Sequence, residues 1–259
     1  MSKSKPAPPD CGGAISAPPA SAPPGSVPGT GGTTPESPGS ASGTAVTPPC
    51  PVETEEVDET VTETITNGDP RWNGTYDWDS KYLLTTDRAN CTVKVTMKLK
   101  VTGTITEAQK AAWKSAIESK WNGKAYLCCT DCNCPRGLPI TVEVQYVDSG
   151  EHYTITAQTP GATEGGRAGL GGTTSMTGWG VDDTVDVTHE FGHMLGNPEE
   201  YYTTNGIDYT EGGTKLPTRD PSGGIMNNPA NNPLPRNYEP IKAQAEDSMG
   251  NSCSVRGTS

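Results

Sequence analysis

TVDVTHEFGHMLG, residues 184–196, contains His189, Glu190 and His193 in the order HExxH. On a helix, side chains four apart lie about 40° apart around the axis and about 6 Å apart along it, so both imidazoles can reach one ion. Glu190 projects away from the centre of the histidine pair but stays near enough to hold a water beside that ion. Asp183 is suited to cap the start of the helix, and Gly196 to end it. Val185, Val187, Phe191, Met194 and Leu195 supply apolar surface.

The pattern extends to HExxHxxGxxE, with Gly196 and Glu199 three and six residues past the second histidine. A glycine there lets the chain turn sharply and bring the next side chain back to the metal. The chain has 3 histidines, and the remaining one, His152, begins an expected strand. A three-histidine site would require His152.

The extended motif resembles that of the metzincin clan of zinc peptidases, HExxHxxGxxH, with Glu199 standing where most members have the third histidine. Two further features fit the resemblance: Met226 in SGGIMNN, a candidate methionine turn beneath the metal, and NYEPIKAQAEDSM (237–249), a candidate C-terminal helix. The resemblance spans roughly residues 85–250. It implies a Zn2+ endopeptidase in which His189, His193 and Glu199 hold the metal, a carboxylate being acceptable to zinc beside two imidazoles, and Glu190 is the general base. Motif spacing favours Glu199, with Glu200 as the alternative third ligand. It also implies an extended polypeptide substrate paired to the strand at 152–158. Tyr201, Tyr202, Tyr209 and Tyr238 are candidates for stabilising the oxyanion.

The rest of the chain is consistent with an α+β domain: a mixed twisted sheet, the active-site helix and a C-terminal helix. CTVKVTMKLKV (91–101) alternates with period two, as a half-buried strand does. Thr106 and Gln109 form a capping-box pattern opening a helix whose Trp113, Ile117 and Trp121 share one face. PITVEVQYV (139–147) and HYTITAQ (152–158) also alternate, with Asp148, Ser149 and Gly150 between them as turn material. Residues 160–180 carry eight glycines and form a long irregular loop.

Residues 1–50 are almost wholly Pro, Gly, Ser, Ala and Thr, a composition that cannot bury enough apolar surface to offset its ordering entropy. From Pro51 to Thr66 the chain turns acidic, with Val57, Val61 and Ile65 spaced four apart, compatible with coil, strand or a short helix against the body. The division adopted is a disordered tail over 1–66 and a metallopeptidase domain over 67–259.

A formal net charge of −12 and the lack of a basic run argue against nucleic acid, and no apolar stretch is long enough for a membrane span. No secretory signal is recognised, yet the eight cysteines suggest an oxidising destination and disulfides. Cys91, Cys128, Cys129, Cys132, Cys134 and Cys253 are the candidates in the body, a second zinc at Cys128–Cys134 being the competing reading. The expectation is an exported protease or effector, delivered through machinery that reads the N-terminal tail. Two other classes compete: a zinc-binding protein without turnover, and a disulfide-rich exported binding protein in which HExxH is accidental. A latency switch by Cys11 or Cys50 is a further, disfavoured role for the tail.

Overall fold

A computed structural model describes residues 52–65, 74–129, 134–158, 175–200, 210–211, 214–215 and 224–258. The tail at 1–50 lies outside them, as do Cys11, Cys50, Cys132, Tyr201, Tyr202, Tyr209 and most of the glycine loop.

The elements run β1 (Val52–Ile65), β2 (Gly74–Asp87), β3 (Thr92–Thr102), α1 (Glu107–Trp121), β4 (Ala125–Cys129), β5 (Leu138–Tyr146), β6 (Tyr153–Gln158), β7 (Gly178–Gly180) and α2 (Asp186–Met194). After β8 (Thr210–Glu211) and β9 (Thr214–Lys215), a 3-10 turn (Pro235–Tyr238) leads into α3 (Glu239–Met249) and β10 (Cys253–Gly257). The fold is α+β with an eight-stranded mixed sheet in the order β1-β2-β3-β5-β4-β10, β6 joining β3 and β7 joining β6.

β3 is the central strand because its alternation serves two faces. Val93, Val95, Met97 and Leu99 are fully buried. On the other face Lys94, Lys98 and Lys100 pair with Glu143, Glu56 and Glu151. α1 begins with the expected capping box between Thr106 and Gln109. Its Trp113 and Trp121 are wholly buried, with their indole N–H groups donating to the carbonyls of Gly180 (3.1 Å) and Thr188 (3.0 Å). These tryptophans thus tie α1 to β7 and α2.

Three features depart from expectation. The acidic segment assigned with the tail is strand β1, paired along its whole length with β2 from Val52↔Asp87 to Ile65↔Gly74. The tail boundary at 66 therefore falls at the far end of a sheet strand. Second, the turn material at 148–150 does not lay β5 and β6 against each other: both run parallel to β3. The amides of Val147 and His152 donate to the successive carbonyls of Leu99 and Lys98, which face opposite edges of β3. β6 thus takes the edge that β2 leaves after Thr96. Tyr153 fills that fork, its hydroxyl accepting from the Lys81 amide (2.8 Å) and donating to Asp79 O (2.7 Å). Third, β6 is no free edge for a substrate over Thr156–Gln158, because β7 already pairs with it there.

Disulfides join Cys91 to Cys134 and Cys129 to Cys253, and Cys128 is disulfide-bonded too. A second zinc using Cys129 is thereby excluded. Oxidised pairs of this kind are compatible with an extracellular protein. Among the described residues no helix is long and apolar enough to cross a membrane.

Candidate metal centre

α2 carries the motif. Its first turn is held by Asp183, whose Oδ1 accepts from the amides of Val185 and Asp186, both at 2.9 Å. Its last turn ends at Gly196, whose φ of +94° is the left-handed conformation that glycine adopts without strain. The carbonyls left over at a helix end need outside donors. Here β2 supplies them: Trp78 Nε1 donates to His193 O (2.8 Å) and Ser80 Oγ to Met194 O (3.0 Å). The Trp78 ring also meets the His193 ring edge-on, at a centroid distance of 5.8 Å.

The turn at Gly196 brings the chain back, and the buried Glu199 carboxylate faces both imidazoles. Its Oε2 lies 3.2 Å from His189 Nε2 and its Oε1 3.1 Å from His193 Nε2. One donor atom from each of His189, His193 and Glu199 lies within 4.8 Å of the others, a cluster that can hold a metal ion.

The donor set fits a zinc-type ion on two counts. Ligand bonds of about 2.0–2.2 Å in a tetrahedron set neighbouring donors about 3.3–3.6 Å apart, and each oxygen of the Glu199 carboxylate lies near that distance from one imidazole nitrogen, at 3.2 and 3.1 Å. Both rings, moreover, are already turned in the ligating orientation. His189 Nδ1 lies 2.8 Å from Ile225 O and His193 Nδ1 2.8 Å from Asn197 O. A carbonyl only accepts, so each Nδ1 bears hydrogen, and each Nε2 faces inward as the nitrogen whose lone pair a metal takes once its proton is displaced.

Met226 lies in a turn closed by the Asn227 and Asn228 amides on Gly224 O, at 3.1 and 3.0 Å. It is fully buried beneath α2. Its sulfur packs so tightly on Gly192 that a Cβ there would overlap it.

Electrostatics bind the cluster together. Burial pushes the His189 imidazole down, but the Glu199 carboxylate outweighs this and raises its pKa to about 9. His193 is likewise depressed by burial and raised on balance by Glu199. Burial raises Glu199, yet the two histidines hold it well below the usual carboxylate range. Glu190, half-buried beside them, is pushed up to about 7, chiefly by burial, with the histidines pulling the other way.

Glu200 lies outside this cluster. Fully buried, it accepts from Arg236 Nε and Nη2 at 2.9 and 2.8 Å and from Asn237 Nδ2 at 3.1 Å. His152 is remote from the centre: its Nδ1 accepts from the Lys98 amide and its Nε2 meets Glu56. Tyr238 is no oxyanion donor, since its wholly buried hydroxyl donates to Trp121 O (2.6 Å).

Sequence reasoning missed Trp78, Asn197, Ile225 and Arg236. Ile225 acts through a backbone carbonyl, which leaves no signature in side-chain type. Asn197 had a faint one, as a turn-forming residue directly after Gly196. Compared with family models, with curated proteins and with solved structures, the chain has no match.

Proposed function

We propose that the protein is a zinc-dependent endopeptidase, exported from the cell that makes it. The observation that carries this reading is the convergence of two imidazole Nε2 atoms and one carboxylate, both rings preset by backbone carbonyls, on a helix that also bears Glu190. Three protein ligands leave a tetrahedral ion one position for water or substrate, as in catalytic rather than structural sites.

When bound, the ion would supply positive charge to polarise a peptide carbonyl and to make water acidic near neutral pH. Glu190 then acts as general base, taking a proton from the attacking water and delivering it to the leaving amine. A carboxylate with its pKa raised toward 7 is suited to both halves of that transfer. Glu199 neutralises part of the ion's charge while its own protonation is suppressed by the histidines. The metzincin-like spacing of HExxHxxGxxE and the buried Met226 turn support the same reading.

The test is Glu190→Gln. It is expected to keep stoichiometric zinc and to lose cleavage of casein and of unstructured peptides by at least about a hundredfold, the range of a general base's contribution. Cleavage at the unsubstituted rate would refute the mechanism, and absence of bound zinc in the unsubstituted protein would refute the site.

A further inference from the structure

Glu199 and Glu200 are adjacent, both buried, and turned to opposite tasks. We infer that Glu200, Arg236 and Asn237 form a positioning clamp that sets the metal-binding geometry, deepening the zinc-site reading above and resting on it. Arg236 engages Glu200 with the two-pronged fork that only a guanidinium offers.

The clamp joins three backbone segments that the sequence keeps apart. The first is 197–200, where Glu199 is a ligand and the Asn197 carbonyl holds His193 Nδ1. The second is the turn at 224–227, where the Ile225 carbonyl holds His189 Nδ1. The Glu200 amide donates to Met226 O at 3.0 Å, fastening the first segment to the second. The third is the 3-10 turn at 235–238, which carries Arg236 and Asn237. Asn197 Nδ2 donates to Asn237 O (3.0 Å) and to Gly192 O (3.1 Å), fastening the first segment to the third and to α2. Asn237 Oδ1 is occupied by the Leu234 amide (2.8 Å), so its side chain is fixed in the orientation that serves Glu200.

Each carbonyl that sets an imidazole is thus one or three residues from an atom the clamp fixes. Glu200 touches neither ring, and it acts through backbone position. The space is closed to variation as well: a Cβ on Gly224 would lie 2.7 Å from Glu200 Oε2 and 3.2 Å from Arg236 Nη2.

The test compares the full-length protein with Arg236→Lys, Glu200→Gln and a core control remote from the clamp, Val142→Ala. Zinc affinity is measured by chelator competition, and Co2+ is substituted to read the visible absorption of the metal's ligand field. Arg236→Lys keeps the charge but not the fork. It is expected to lower zinc affinity by about tenfold to a hundredfold, the range for partners that orient ligands. It should also shift the Co2+ bands, while Val142→Ala changes neither. Glu200→Gln should act in the same direction; if it does not fold, Arg236→Lys decides. Unchanged affinity and Co2+ spectrum in Arg236→Lys, or a loss no larger than the control's, would overturn the clamp alone. If the unsubstituted protein binds neither Zn2+ nor Co2+, the metal-site reading fails and the clamp with it.

Discussion

Gly192→Ala adds one methyl group where the packing leaves no room for it. Gly192 lies on α2 between the two histidines, facing Met226 and Trp121. A Cβ there would overlap Met226 Sδ and lie 3.3 Å from its Cε and 3.2 Å from the Trp121 ring. Neither side chain can retreat easily, since both are fully buried. Trp121 is further pinned by its bond to Thr188 O and by the rings of Phe191 and Tyr238. The 224–227 turn must therefore move, and with it the Ile225 carbonyl that orients His189. Overpacking costs about 1–3 kcal/mol, and alanine recovers about 1 kcal/mol over glycine within a helix. The expected net loss is thus about 0–2 kcal/mol in urea unfolding of the metal-free protein. Zinc affinity should fall further, by about tenfold to a hundredfold, because an orienting partner of a ligand is displaced. Trimming the obstacle in Gly192→Ala/Met226→Ala should restore much of the affinity while lowering stability. If Gly192→Ala binds zinc as tightly as the unsubstituted protein, or the double variant binds no better than the single, the argument that this contact governs the site is wrong.

Protonation should give the metal-free and zinc-loaded proteins opposite responses to pH. Glu190 at about 7 and His189 at about 9 both lie above their ordinary values of 4.5 and 6.5, so the folded metal-free chain holds protons that the unfolded chain has released. Its stability should fall as pH rises from 4.5 to 9, whereas the depressed Glu199 contributes stability above 4.5 that is lost as pH falls toward its folded value. Zinc must displace the histidine protons, so its stabilising effect should grow over 6.5–9; urea unfolding with chelator and with excess zinc checks both, and a metal-free stability that climbs over that window would contradict the assignment. The Cys91–Cys134 link closes a 43-residue separation, so Cys91→Ser/Cys134→Ser should cost about 4 kcal/mol on loop entropy, and a loss under about 1 kcal/mol would show that it constrains little.

What the sequence disclosed is what local chemistry determines. The α1 capping box needs only residues 106 and 109, and the β3 alternation needs only its own side chains. The HExxH pair needs one helical turn. β1 was obscured because its inward-facing positions include Glu53, Glu55 and Glu63 along with Val57 and Val61, which breaks the apolar alternation that marks a half-buried strand. Glu53 is tolerated there because Arg88 pairs with it at 3.1 Å. The partner of β5 and β6 was not legible because two alternating strands with a turn between them look the same whether they pair with each other or with a third strand. Only the departure of β2 from β3, marked by Tyr153 in the fork, frees an edge for β6.

The third ligand posed the same problem at closer range. Glu199 and Glu200 differ by one position, and nothing within the motif distinguishes two adjacent carboxylates beyond spacing. The distinction comes from Arg236, 36 residues beyond Glu200, whose guanidinium occupies one of them. A buried carboxylate needs a compensating charge, and two side by side need two different ones. One finds its charge in Arg236; the other faces a pair of imidazoles whose Nε2 lone pairs repel it unless a proton or a cation lies between. In the metal-free protein a proton fills that role, which is why Glu199 raises His189 to about 9. A divalent cation can fill it too, meeting all three donors at once. The arginine on one side thus marks, by elimination, which carboxylate can hold a metal ion on the other.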